Sequence, residues 1–135
     1  MIPQVNDGLN VDFQIEDQPS HTYALDIENN RIKGFVDSLE AMKQAIYKIL
    51  NTERFSCMLY SWNYGVELAE LFGEPLPFVY PELERVITEA LLADDRITGV
   101  EDFTFEKGLK FGSVLVQFTA ITTEGDLTVE KVVTI

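Results

Sequence analysis

After Arg96 the hydrophobic period of this chain changes from 3.6 residues to 2, and no other feature constrains the fold as much. Upstream, Leu83, Val86, Ile87, Ala90 and Leu91 recur at the spacing of one helical face, which predicts a second helix with Pro81 in its first turn. Downstream, Phe103 and Phe105 alternate with Thr104 and Glu106, and Val114, Val116, Phe118 and Ala120 alternate with Leu115, Gln117 and Thr119. Leu127, Val129, Lys131, Val133 and Ile135 form a third run, and Gly108 and Gly125 stand at the breaks. Three such runs with short connections predict an antiparallel meander.

Upstream of that switch, residues 1–20 carry Pro3, Gly8 and Pro19 and no sustained period, so they read as an N-terminal arm before a single domain over 21–135. Thr22 to Ile27 alternates like a half-buried strand, Glu28 to Arg31 reads as a turn, and Ile32 to Phe35 returns as a second strand. Asp37 with Glu40 three residues on is a capping pattern, and Leu39, Met42, Ile46, Ile49 and Leu50 then share a face, predicting a first helix from about 38 to 52. Arg54 to Trp62 is aromatic-rich and fits either a short strand or a packed loop. A brief helix over Val66 to Phe72 ends at Gly73, after which Pro75, Pro77 and Pro81 are expected to hold the chain open. Two main helices packed on an antiparallel sheet with a C-terminal three-stranded meander make the class α+β.

The net charge is −13, with six acids and no Lys or Arg in residues 1–30 and eleven acids against two bases in residues 67–106. Such a field repels phosphate backbones, so no nucleic-acid partner is expected. An acidic face of this kind is either a solvated surface or a docking surface for basic partners. No apolar run reaches the roughly 18 residues of a membrane span, and the first residues lack the basic and apolar regions of a signal peptide, so no membrane role is expected. One Cys (Cys57) and one His (His21) are too few for an internal disulfide or a Cys/His metal site, and no cofactor is expected.

Convergent chemistry is not visible either: there is no phosphate-cradling glycine loop, no HExxH and no CxxC. Asp26 to Asn30 resembles the start of a calcium loop, but Arg31 stands where that loop requires glycine and Asp37 where it favours glutamate. A pair of acids such as Glu67 and Glu70 keeps a glycan hydrolase open as an alternative, and an acidic binding module is another. Asp94 and Asp95 follow the second helix at the end where its dipole disfavours negative charge. Either Arg96 pairs with them on the surface, or the corner, with Arg96 projecting, contacts a partner protein. The last run is apolar on one face and carries neither proline nor a charge cluster. It is therefore central in its own sheet or waiting for another chain.

Leu50-Asn51-Thr52-Glu53-Arg54, then Tyr64 to Gly73, then the second helix leading into Asp95-Arg96-Ile97 together resemble the baseplate wedge family of contractile phage tails, also called sheath initiators and lysozyme-related proteins. Ser61-Trp62-Asn63-Tyr64-Gly65 is similar to a branch from prophages and phage-like particles of Gram-positive bacteria, bacteriocins included. The resemblance implies a non-enzymatic structural protein, six copies per tail, made in the bacterial cytoplasm and then built into the baseplate around the tube. Its partners would be other wedge proteins, tube or hub proteins and the first ring of sheath protein. The resemblance also implies that the C-terminal strands join an intermolecular sheet with sheath arms, through Leu127, Val129, Lys131, Val133 and Ile135. The Glu-Pro-Arg that often follows the second helix in this family is associated with wedge contacts. Here it reads Asp94-Asp95-Arg96, which keeps the arginine and an acid but loses the proline.

Overall fold

A computed structural model describes Gln14, Glu16 and residues 19–135, so most of the expected N-terminal arm lies outside the described residues. An antiparallel hairpin of β1 (Thr22–Asp26) and β2 (Arg31–Val36) is followed by α1 (Ser38–Leu50), a long connection containing a 3-10 turn at Ala69–Leu71, and α2 (Leu76–Leu92). The chain then runs through β3 (Ile97–Lys107), β4 (Ser113–Thr122) and β5 (Gly125–Thr134), a meander in the order β3-β4-β5. The α+β class and the meander are as the sequence predicts.

Asp37 caps α1 by accepting the Ser38 N–H at 2.7 Å, and Met42, Ile46, Ile49 and Leu50 are buried beneath it. Leu39, expected on that face, is instead partly exposed and lies against the β4–β5 turn, where a β-carbon on Gly125 would meet its Cδ1 at 3.5 Å. The helix stops at Leu50, two residues early, because side chains take over its last carbonyls. Asn51 Nδ2 donates to the Tyr47 carbonyl and the Thr52 hydroxyl to that of Lys48, both at 2.7 Å.

The prolines do not hold the chain open. Pro75 is the N-cap of α2 and its carbonyl accepts the N–H groups of Phe78 and Val79 at 2.9 and 3.1 Å. Pro77 sits in the first turn, where a missing N–H has no helical partner to lose, and Pro81 gives up one bond within the helix. What outweighs that loss is burial: Val79 is fully buried, and Tyr80 stacks on Phe105 with ring centroids 5.1 Å apart. The brief helix expected over Val66 to Phe72 contracts to the 3-10 turn at Ala69–Leu71, and Phe72 is already extended.

β4 is the central strand. Val114, Val116, Phe118 and Ala120 are fully buried on the side of the helices, against Leu83, Ile87 and Leu91 of α2 and Met42 and Ile46 of α1. Rings link the layers: Phe118 stacks on Phe103, Phe103 on Phe105, and Phe105 on Tyr80.

Candidate functional site

The corner after α2 is built by one aspartate. The helix ends at Leu92, so Asp94 stands outside it and accepts the Arg96 N–H at 3.0 Å, a turn closed by its own side chain. The same carboxylate takes Arg96 Nε at 3.0 Å and a terminal guanidinium nitrogen at 2.7 Å. Arg96 therefore does not project alone; it lies clamped, and the hydrogen bonds from it hold the Asp94 carboxyl below the usual carboxylate range. Asp95 is exposed beside the pair. A cavity of about 550 Å³ opens here, between Ile49 of α1, Ala90 of α2 and Ser61, Asn63 and Tyr64 of the long connection.

The segments on which the family resemblance rests are brought into one knot. Val66 N–H donates to the Thr52 carbonyl at 2.9 Å, Arg54 N–H donates to the Val66 carbonyl at 3.2 Å, and Glu53 pairs with Val66 as a parallel bridge. The Glu53 carboxylate accepts the N–H groups of Leu68 and Ala69, which start the 3-10 turn. Arg54, whose side chain is only 9% exposed, reaches Glu89 of α2 at 2.8 Å and Glu67 at 3.5 Å. Those residues brace the connection. Between Arg54 and Gly65 the chain loops outward, with Phe55, Met58, Leu59 and Trp62 exposed rather than packed as a strand.

Among the described residues the meander has two open margins, and they differ. β3 carries two register shifts against β4, each with an extra residue on β3, and Asp102 there has φ of +57°. Bulges of this kind blunt an edge. β5 pairs with β4 through ten consecutive residues without a shift, from Gly125 opposite Thr122 to Thr134 opposite Ser113. Beyond that ladder Ile135 N–H donates to the Gly112 carbonyl, which fixes the parity. Odd-numbered residues of β5 bond to β4, and the N–H and C=O groups of Asp126, Thr128, Glu130, Val132 and Thr134 point to the open side.

Side chains follow the complementary pattern. Val133 is buried in the core, and Leu127, Val129 and Ile135 pack against it. Lys131 lies on the same face and donates to Asn51 Oδ1 at 2.8 Å, and burial lowers its ammonium pKa. The five residues expected at the interface thus turn inward, and the backbone available to another chain belongs to the residues between them. Strand period alone hides this, because it shows which face is apolar and not which strand is outermost. Beside the open margin, Lys43, Tyr47 and Leu50 of α1, its C-cap Asn51, and Thr128 to Val132 of β5 line a groove of about 310 Å³.

Glu67 and Glu70 line a recess of about 130 Å³ shared with Glu74 and Glu82, below the roughly 300 Å³ at which small-molecule pockets begin. Glu67 faces Arg54, and Glu82 pairs with Arg85. Among the described residues no group of three metal-ligating side chains occurs, and no helix is long and apolar enough to cross a membrane.

The sequence matches the family described as contractile injection system sheath initiator over residues 12–125. It is also 38% identical over 129 residues to the phage-like element PBSX protein XkdS of Bacillus subtilis (strain 168), with 90% of each chain covered.

Proposed function

The chain belongs to the contractile injection system sheath initiator family, and from that premise we propose that it starts sheath polymerisation by lending the open margin of β5 to a strand of the first sheath ring. The observation that carries this reading is the asymmetry of the meander: ten unshifted pairs leave β5 straight and open, while β3 is bulged twice. An added strand gains main-chain hydrogen bonds from Asp126, Thr128, Glu130, Val132 and Thr134, and alternate side chains set its register. The family is structural, and the recess at Glu67 and Glu70 offers no sugar-sized cleft in support of a hydrolase. Six copies around the tube, wedge and hub neighbours, and a baseplate location after assembly in the cytoplasm belong to the same proposal, as does a single domain over 21–135.

Deleting residues 126–135 would be a poor test, because it removes Val133 from the core and uncovers β4. Thr128→Pro is better. It removes one outward N–H and leaves every β4–β5 bond in place. Co-expressed with its sheath protein, the variant is expected to fold and to capture no sheath above background; capture at the wild-type level would overturn the reading. The Asp94–Asp95–Arg96 corner is proposed as the wedge contact. Arg96→Ala should reduce co-purification of wedge proteins, and unchanged recovery would remove that assignment.

A further inference from the structure

We propose that Lys131 and Lys43 form a carboxylate-reading site in the groove between α1 and the open margin of β5, selecting a sheath strand that carries an Asp or Glu side chain on its α1-facing side. This rests on the strand-addition reading above and specifies what the added strand must bring. Lys131 is on the helix-facing side of β5, so its cross-strand neighbour in any added strand projects to that side, with β-carbons about 5 Å apart. That neighbour enters the groove lined by Lys43, Tyr47, Leu50 and Asn51.

Among the described residues no carboxylate pairs with Lys131. Every ion pair among the described residues is made by an arginine, Arg31, Arg54, Arg85 or Arg96, although the chain has 23 acids. The ammonium of Lys131 instead meets the neutral amide oxygen of Asn51 at 2.8 Å. Its neighbour Glu130 also borders the groove, but the Glu130 carboxylate is engaged on the outer face by Gln117 Nε2 at 3.1 Å. Desolvation is the sole cause that depresses the Lys131 ammonium, and an incoming carboxylate would offset it. Lys43 is exposed on the opposite wall and adds a second positive charge. In a chain of net charge −13, two lysines in one groove are a local exception. An acidic side chain is attracted there and repelled over most of the remaining surface, which fixes register as well as partner.

The test co-expresses the full chain with its sheath protein and compares sheath captured per initiator for wild type, Lys131→Met, Lys131→Arg, Lys43→Met and Thr128→Pro. Methionine keeps most of the apolar stem of Lys131 and removes the charge. Lys131→Met is expected to lower capture about tenfold and Lys43→Met about threefold, with Lys131→Arg within about twofold of wild type. Wild-type capture by Lys131→Met, with Thr128→Pro abolishing it, would overturn the carboxylate site and leave strand addition standing. Equal losses in Lys131→Met and Lys131→Arg would show a packing role and overturn it as well. Wild-type capture by Thr128→Pro would remove the strand-addition reading, and the lysine site with it.

Discussion

Gly65 presses on Thr52: a β-carbon at Gly65 would lie 2.6 Å from the Thr52 carbonyl oxygen, and Gly65 holds φ at +99°. Both facts bar a side chain, because the contact is with backbone that is itself bonded to Val66. Gly65→Ala should therefore cost about 3 kcal/mol, from left-handed strain together with the clash. Differential scanning calorimetry should show a melting temperature lower by roughly 10 °C.

The Asp94–Arg96 clamp gives stability an acid-side dependence. The folded pKa of Asp94 is depressed, first by its hydrogen bonds from the Arg96 side chain. A depressed carboxylate contributes stability that is present above its unfolded pKa of about 3.9 and is lost as pH falls through the lower folded value. Asp94→Asn should be less stable than wild type at pH 7 by about 1 kcal/mol, the scale of a partly exposed pair. Denaturant melts should show that difference shrinking as pH falls below the unfolded value.

Lys131 should separate stability from function. Its charge is half-buried and, among the described residues, held by Asn51 alone, so Lys131→Met is expected to raise the melting temperature while sheath capture falls. Thermal melts of the purified variant check the first half, and a lower melting temperature would show that the bond to Asn51 outweighs the cost of desolvation.

The two sides of β5 should respond differently to proline. Thr128→Pro takes an outward N–H and should cost no more than about 1 kcal/mol. Val129→Pro takes an N–H bonded to Phe118 at the centre of the sheet and should cost about 3 kcal/mol or more. Paired urea titrations measure the gap.

The meander was legible because Val114, Val116, Phe118 and Ala120, and then Leu127, Val129, Val133 and Ile135, keep to alternate positions despite Leu115, Lys131 and Val132, and period 2 has no helical reading. The body of α2 was legible from Leu83 to Leu91 for the corresponding reason. Its first turns were not. Pro75 and Pro77 read locally as breakers and Pro81 as a first-turn residue, and only the burial of Val79 and the stacking of Tyr80 on Phe105, both long-range, show why the helix starts at Leu76, ahead of Pro77 and Pro81. For Asp94 the sequence left two readings, pairing with Arg96 or contact with a partner, and the helix end two residues earlier was needed to see its carboxylate folding back on Arg96. The sequence left the last strand either central or at an edge, for a different reason. Strand order follows from the whole meander, and the groove needs α1, some eighty residues upstream, to supply Lys43 and Asn51.

Because the two shifts fall in β3 and none in β5, the described sheet has one blunted flank and one regular one. A unit of that kind cannot serve as a middle link in an endless ribbon: two copies meeting flank to flank would exhaust each other, with nothing left to recruit a third. On the proposed docking at β5, growth begun on it would have a single direction, outward and away from its own body.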